Sequence, residues 1–230
     1  MKRQLHVLLI TLFLASSLPC WAAMSEEREW LPLNKLMETI YLDKFYATPL
    51  AQRDKVKVRG TLVPRNKDIK ASDVVLTIAH ADGKQRITVA ADGSFELAPS
   101  AKAIQENPMV FTNMPKGEKA GLGLNMFANL PEATQFSYAD LTAGIGQANA
   151  LIKSQAGVLS LFMPKLNGVL VRFAKSGQQT LKIATKAGVQ TLASDANGLI
   201  KLKLDTALLA ENPLVTASER VLEAEIDEIK

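Results

Sequence analysis

Two stretches of the chain alternate hydrophobic and polar residues with a period of two, which predicts β-strands. The first stretch, residues 74–99, breaks the alternation at Ala81-Asp82-Gly83 and again at Asp92-Gly93. The second stretch breaks it at Ala187-Gly188 and at Asn197-Gly198. Asp-Gly or Asn-Gly between alternating runs is typical of a β-hairpin, because a tight turn needs residues that tolerate positive φ. Each stretch therefore predicts antiparallel strands joined by short turns.

The second stretch repeats the first at an offset of 105 residues. Residues 76–110 align with residues 181–215 without a gap, and about a third of the aligned pairs are identical. The identical residues include Gly93 with Gly198, and the triplet Glu106-Asn107-Pro108 with Glu211-Asn212-Pro213. An ungapped repeat of this length predicts a duplicated structural unit.

Each half opens with a predicted helix. Residues 33–45 place Leu33, Leu36, Met37 and Ile40 on one hydrophobic stripe. The second helix is predicted over residues 137–157, with Ser137 and Asp140 as a capping pair and Gly157 as its end. Gly144 and Gly146 either weaken this helix or let another backbone come close.

A short capped helix and a closing strand follow the alternating stretch in each half. The predicted N-caps are Ser100 and Asp205. Pro108 and Pro213 push the preceding asparagines out of the right-handed helical region and end these helices. The closing strands are predicted around residues 122–126 and 222–226. The predicted fold class is thus α+β, a tandem duplication in which each half is a helix followed by a small antiparallel β-sheet with a short helical turn.

The domain boundaries follow from this pattern. The first α+β repeat is predicted at residues 30–130 and the second at residues 131–230. The segment 129–134, which contains Pro131, is the predicted boundary between them.

The first 22 residues have the three parts of a secretory signal peptide. Lys2 and Arg3 precede a hydrophobic run, and small residues precede the expected cleavage between Ala22 and Ala23. An uncleaved membrane anchor is the alternative, although the run is short for a span of about 20 residues. We expect a periplasmic protein with no stable membrane span after cleavage, and a flexible mature N-terminus over residues 23–29.

The composition excludes several kinds of site and partner. Of the 230 residues, 47% are hydrophobic and 22% are charged, as in an ordinary globular protein. Cys20 is the single cysteine and would leave with the signal peptide, so disulfides and a thiol nucleophile are not expected. No stretch concentrates basic residues around aromatic ones, so no nucleic-acid partner is expected. Lys55, Lys57 and Arg59 alternate with valines, which predicts the solvated face of a strand.

Candidate catalytic and metal-binding residues are few. His80 is the one histidine expected in the mature chain, and we interpret it as a solvent-facing residue at a strand end. Asp195 and Asn197 alternate as ligands do in calcium loops, but the stretch lacks the further oxygen ligands, so a plain hairpin turn is preferred. We therefore expect no catalytic residue, no cofactor and no metal.

The two Glu-Asn-Pro triplets allow two interpretations. They are either equivalent ligand contacts or structural turns, in which the asparagine side chain binds neighbouring backbone and the proline fixes the exit angle. The structural interpretation is preferred, because duplication preserves folding determinants in both copies. The predicted structural motif comprises Gly93, Asn107, Pro108, Gly198, Asp205, Asn212 and Pro213.

Aromatic residues cluster near the expected mature start. Tyr41 and Phe45 lie four residues apart on the first predicted helix, so we expect both to pack in the core. Trp30 is the better candidate for an exposed contact, because the residues around it are polar.

The chain resembles a known family over most of its expected mature length. The residues that carry the resemblance are Asn197-Gly198, Ile200, Leu202, Asp205, Leu209, Asn212, Pro213 and Val215, helped by the hydrophobic run in residues 157–173. In these features the chain is similar to a proteobacterial family of exported proteins known only as a domain of unknown function. The resemblance implies an envelope location and no known activity, and it supplies no catalytic residue.

Two classes of function remain. The first is a non-enzymatic, two-lobed binding or envelope-assembly module that meets an envelope protein in the groove between its lobes or through exposed sheet edges. Self-association through such edges belongs to the same class. The alternative is a glycan-binding protein, or a glycan hydrolase in which carboxylates such as Glu96, Asp140 and Glu106 converge within roughly 5–10 Å.

Overall fold

The computed structural model describes residues 26–156, 165–175 and 177–230. The described chain is β-rich with several helices, in agreement with the predicted α+β class. The expected signal peptide, its cleavage site at Ala22 and Ala23, and the helix stop Gly157 lie outside the described residues.

The first half of the chain contains seven strands and three α-helices among the described residues. They are β1 (Arg28–Pro32), α1 (Leu33–Thr39), α2 (Leu42–Ala47), β2 (Val56–Pro64), β3 (Val75–His80), β4 (Gly83–Thr88), β5 (Ser94–Phe95), α3 (Ala101–Glu106), β6 (Met109–Thr112) and β7 (Ala120–Ala128). Short 3-10 helices at Leu50–Gln52 and Ala71–Asp73 flank β2. Residues 28 and 29, at the end of the segment expected to be flexible, belong to β1.

The described part of the second half contains seven more strands and two α-helices. They are β8 (Gln135–Ser137), α4 (Tyr138–Ala156), β9 (Gly168–Phe173), β10 (Thr180–Thr185), β11 (Gly188–Ala193), β12 (Leu199–Lys203), α5 (Thr206–Glu211), β13 (Leu214–Ala217) and β14 (Val221–Asp227). Residues 129–134, the predicted boundary, carry no helix or strand.

The strands form three antiparallel sheets. One four-stranded sheet has the order β1-β6-β3-β4, and the other has the order β11-β10-β13-β8. The third sheet has six strands in the order β12-β9-β14-β7-β2-β5, so each half contributes three strands to it. The second half repeats the strand order of the first half in every sheet, with β8 to β14 in the positions of β1 to β7. The prediction of one small sheet for each half is therefore corrected: each half owns one sheet and shares another.

Two of the four predicted hairpins are confirmed. β3 pairs with β4 and β10 pairs with β11 across two-residue turns, as expected. The turns at Asp92-Gly93 and Asn197-Gly198 are also present, but they do not close hairpins. The strands that follow them, β5 and β12, pair with β2 and β9 in the shared sheet. These turns therefore carry the chain from one sheet to another.

The first predicted helix is interrupted. Leu33, Leu36, Met37 and Ile40 are all buried, as the stripe predicts. However, Tyr41 has φ 59° and ψ 19°, in the left-handed region, so α1 ends and α2 starts afresh. The expectation that Tyr41 packs in the core is wrong, because its side chain is 58% exposed.

One hydrophobic core serves both halves, a point that the sequence left open. The buried cluster includes residues of α1 and α4 and of all three sheets. Helix α4 packs against β2, β7, β9 and β14 of the shared sheet. Gly144 makes this approach possible, because a Cβ at this position would lie 2.7 Å from the carbonyl oxygen of Lys55. The glycine therefore serves close backbone approach, which was one of its two predicted roles.

Candidate functional site

A cleft of about 560 Å³ lies where the two halves meet. The cleft is lined by α2 with the turn that follows it, the first residues of β2, residues 96–98, residues 127–132 at and beyond the end of β7, and residues 220–224 at the start of β14. The predicted boundary segment around Pro131 is thus part of the wall.

Hydrogen bonds across the boundary fix one rim of the cleft. The side-chain amide of Gln147, on α4, donates to the carboxylate of Asp54 at 2.7 Å, and its oxygen accepts from the backbone N–H of Lys55. Asn129 donates through its side chain to the carbonyl of Asp54 and through its backbone to that of Lys55. The hydrogen bond from Gln147 holds the pKa of Asp54 below its usual value. This rim is therefore built from residues of both halves.

Arg53 covers the aromatic residues at the α2 wall. Its guanidinium carbon lies 4.9 Å from the ring centre of Phe45 and 5.4 Å from that of Tyr46, within reach of cation–π attraction. Its Nε donates to the carbonyl of Thr48. The Tyr46 hydroxyl donates to the carbonyl of Leu97, and burial raises the pKa of Tyr46. Both residues are thus held by contacts within the protein.

Arg59 is the centre of an ion-pair network, which corrects its assignment to a solvated strand face. Its Nη1 lies 2.7 Å from Glu223 Oε2, and the other carboxylate oxygen of Glu223 lies 3.0 Å from Nε of Arg172. The Arg59 guanidinium carbon also lies 4.9 Å from the ring centre of Phe127. The network joins β2 to β14 and β9, so it ties the two halves together on the face of the shared sheet that points away from α4.

A second carboxylate lies on the same face. Glu225 is opposite Phe127 in the β14–β7 pair, so the two side chains share that face. Burial raises the pKa of the Glu225 carboxyl, and the negative charges of Asp227 and Glu223 raise it further, while Arg172 lowers it. Glu225 therefore holds its proton more tightly than an exposed glutamate.

Two large hydrophobic side chains of the cleft wall remain exposed. Leu50, in the turn after α2, is 66% exposed, and Leu222, on β14, is 49% exposed. The wall thus offers apolar surface beside the ion pair of Arg59 and Glu223. Neither leucine was singled out from the sequence as a contact residue, although Leu222 stood in the predicted closing strand.

The Glu-Asn-Pro triplets lie elsewhere and bind backbone groups. Asn107 Oδ1 accepts from the N–H of Asn34 at the start of α1, and Asn212 Oδ1 accepts from the N–H of Ala139 at the start of α4, each at 2.9 Å. Both asparagines are left-handed, with φ 47° and φ 50°. The asparagine side chain thus binds backbone 73 residues away, where neighbouring backbone was expected.

The other two residues of each triplet also bind backbone. The carboxylate of Glu106 accepts from the N–H of Ala81, and that of Glu211 accepts from the N–H of Lys186, both in the hairpin turns. The carbonyls of Pro108 and Pro213 accept from the N–H groups of Leu33 and Tyr138. The triplet therefore connects a hairpin turn to the start of a helix in each half.

The short helices of the repeat begin at side-chain caps. The Ser100 hydroxyl accepts from the N–H of Ala103, and the Asp205 carboxylate accepts from the N–H groups of Ala207 and Leu208. At the turns before β5 and β12, Gly93 and Gly198 have φ 85° and φ 74°. All seven residues of the predicted motif thus lie at turns or helix ends.

The carboxylates considered for glycan hydrolysis do not converge on the cleft. Glu96 lines it, 3.6 Å from Arg59. The Asp140 carboxylate accepts a hydrogen bond from the Ser137 hydroxyl at the start of α4, and the Glu106 carboxylate accepts one from the N–H of Ala81 in the hairpin turn. Neither of these two lines the cleft.

The remaining candidates also lie apart from it. His80 ends β3 and is half-buried, and its Nδ1 accepts from the N–H of Asp82. One oxygen of Asp195 accepts from the N–H groups of Asn197 and Leu199. Among the described residues, no group of three or more His, Cys, Asp or Glu lies close enough to hold a metal ion. Trp30 is half-buried against the core, which corrects its assignment as an exposed contact.

Residues 56–173 match the model of a family described as a protein of unknown function, DUF2987. The match covers slightly more than half of the 230 residues, and the chain belongs to this family. The expected membership of a family known only as a domain of unknown function is thereby confirmed. The match runs from the first residue of β2 to the last residue of β9, and so crosses the boundary between the halves.

Further comparisons add little. The comparisons with curated proteins and with solved structures returned no match. Among the helices that the structure describes, none is both long enough and apolar enough to cross a membrane.

Proposed function

We propose that this chain is an exported, non-enzymatic binding protein whose cleft takes up an extended segment of an envelope protein. The observation that carries the proposal is the exposure of Leu50 and Leu222 in a cleft whose Arg59 and Glu223 side chains are paired with each other. Exposed apolar side chains in a concave site are typical of surfaces that bind a partner.

The internal pairing of the polar groups favours binding over catalysis. Arg59 and Glu223 bind each other, and Arg53 is held over the aromatic rings of α2. A general base needs a reacting proton within hydrogen-bond reach, and a nucleophile needs such a base beside it. Arg53, Arg59 and Glu223 are instead held by neighbouring side chains of the protein, which favours a preformed binding surface.

We prefer a protein partner to a glycan. A sugar-binding cleft commonly offers an open aromatic face, whereas Phe45 and Phe127 are buried and Arg53 lies over the ring of Tyr46. An extended peptide would place apolar side chains against the two leucines and its polar backbone against the charged rim. The glycan alternative stays an outcome of the experiment below.

We further propose that the chain arose by tandem duplication. The support is that hydrogen bonds recur at the offset of 105 residues seen in the sequence. Asn107 binds Asn34 as Asn212 binds Ala139, and Glu106 binds Ala81 as Glu211 binds Lys186. The boundaries proposed from the sequence, residues 30–130 and 131–230, place the cleft at the junction of the two copies.

Export to the periplasm is also part of the proposal. Its support is the charged, hydrophobic and small-residue pattern of residues 1–22. A partner met in that compartment would be an envelope protein.

The test compares two leucines of equal exposure. Leu222 lies in the cleft wall and Leu214 lies on β13, outside it, and both side chains are 49% exposed. Tagged Leu222→Asp and Leu214→Asp chains are expressed in cells, crosslinked and purified, and the attached molecules are identified by mass spectrometry. We expect Leu222→Asp to lose about tenfold or more of one defined protein adduct, as for a hot-spot residue, while Leu214→Asp retains it.

Two results would contradict this proposal. Equal loss of the adduct in both variants would show that the cleft is not the contact surface. Recovery of carbohydrate in place of a protein would show that the cleft binds a glycan. Unfolding curves of both variants establish that each is folded before the comparison is made.

A further inference from the structure

The edges of the three sheets differ in how they are protected against pairing with another strand. An edge strand exposes unpaired N–H and C=O groups, and proteins guard such edges with charge, proline or short length. In the described part of the chain the edge strands are β1, β4, β5, β8, β11 and β12.

Five of these edges carry a guarding feature. β5 has two residues and β8 has three. β1 contains charged residues and ends in Pro32, and β12 contains Lys201 and Lys203. β4 has the sequence GKQRIT, in which Lys84 and Arg86 are exposed.

The edge strand β11 carries none of these features. Its sequence is GVQTLA, six residues long, without a charge or a proline. Five of the six residues are exposed, and Val189 is 65% exposed. β11 is the counterpart of β4 in the repeat, and Val189 and Thr191 stand where β4 has Lys84 and Arg86. The two guarding charges of the first half are thus absent from the second.

We propose that β11 is a dimerisation edge, on which β11 of a second copy of this chain pairs antiparallel. The inference goes beyond the proposed function, because it concerns a different surface and a different partner. It joins two four-stranded sheets into one continuous eight-stranded sheet about a twofold axis.

The strand is complementary to itself. A twofold axis perpendicular to the sheet keeps the two faces of each strand unchanged, so only residues of like face can lie opposite each other. An axis through Thr191 places Thr191 opposite its own copy, Val189 opposite Ala193, and Gln190 opposite Leu192. These pairs contain no charged residue, whereas β4 would place lysines and arginines close together.

The ends of the strand favour the same register. Beyond the strand, the register brings the turn residue Lys186 of one copy beside residues 195 and 196 of the other, where Asp195 carries a carboxylate. By symmetry this opposite-charge contact forms twice. A strand from an unrelated protein would have to match the edge without this complementarity, and for that reason we assign the edge to a second copy.

The experiment is sedimentation equilibrium of the purified chain over a dilution series. The test variant, Val189→Lys with Thr191→Arg, gives β11 the charges of β4. The control, Leu214→Lys, adds a charge at an exposed position of the interior strand β13. We expect a monomer–dimer equilibrium for the wild type and the control, and a dissociation constant raised about tenfold or more in the test variant, because like charges then face each other across the pair.

Amide hydrogen exchange locates the contact. In the dimer, the N–H groups of residues 188–193 that point away from β10, which are every second one along the strand, become protected as the concentration rises, and those of β4 do not. A wild-type chain that stays monomeric at every concentration would overturn the proposal, and so would a test variant that dimerises like the wild type. A monomer whose β11 amides become protected only when envelope extract is added would overturn it in favour of a strand from another protein.

Discussion

Replacing Asn107 tests the account of the Glu-Asn-Pro triplet. The residue does two things: it adopts φ 47°, and its side-chain oxygen accepts from the N–H of Asn34 at 2.9 Å. Three substitutions separate these contributions. Asn107→Asp keeps an acceptor and tolerates the left-handed backbone, Asn107→Gly keeps only the backbone freedom, and Asn107→Ala keeps neither.

The magnitudes follow from the two contributions. Loss of an N-terminal helix cap of this kind costs about 0.5–2 kcal/mol. Placing an alanine in the left-handed region costs a further 1–2 kcal/mol, roughly. We therefore expect losses in the free energy of unfolding below about 0.5 kcal/mol for Asp, about 0.5–2 for Gly and about 1.5–4 for Ala. For a chain of this size, the Ala variant should lower Tm by roughly 3–16 °C.

The assay is urea unfolding followed by circular dichroism, with Tm from a thermal scan. The same series at Asn212, which has φ 50° and binds Ala139, should give the same order. An alanine variant as stable as the glycine variant would refute the reasoning, because the backbone would then not be held in the left-handed region. A glycine variant as stable as the wild type would show that the hydrogen bond contributes nothing.

Four other predictions each concern a single site. Gly144→Ala should destabilise the chain by about 1–3 kcal/mol, because its Cβ would meet the Lys55 carbonyl. Gly146→Ala, with no atom within 4 Å, should instead stabilise it by about 0.5–1 kcal/mol, and a loss in urea unfolding would contradict the open surroundings at this position. Tyr41→Asn should raise the free energy of unfolding by about 0.5–1 kcal/mol by relieving the left-handed tyrosine, and a decrease would mean that the ring makes a stabilising contact. The pKa of Glu225 is raised in the folded state, so its carboxyl lowers the free energy of unfolding as pH rises from the unfolded-state pKa through the folded-state pKa. Glu225→Gln should therefore be more stable than the wild type at pH 7 but not at pH 4. An equal effect at both pH values in urea unfolding would contradict this sign.

Local signals in the sequence predicted local structure well. The two-residue turns before Gly83 and Gly188 and the capping partners Ser137 and Asp140 were predictable, because each depends on residues close together in the chain. The break at Tyr41 was not predictable from the hydrophobic stripe, because the stripe continues through it. The left-handed residue is a tyrosine, and only glycine or asparagine at this position would have predicted a positive φ.

Long-range pairing was the part that the sequence did not reveal. β5 and β12 follow turn signals typical of hairpins, yet they pair with strands about thirty residues earlier, in another sheet. Arg59 showed only a strand alternation, because its partner Glu223 lies 164 residues away. The cleft could not be predicted for the same reason, since its walls meet only when β7 and β14 pair across the two halves.

Site-specific photo-crosslinking in intact cells tests whether a partner protein binds in the cleft. A photoreactive amino acid replaces Leu222 in one chain and Leu214 in another, and the yield of covalent protein adduct is compared after illumination. We expect one defined adduct at position 222 that is absent at position 214 and that disappears when Leu50→Asp is added. Adducts of equal yield at both positions, or no adduct at position 222 in a folded and exported chain, would contradict it.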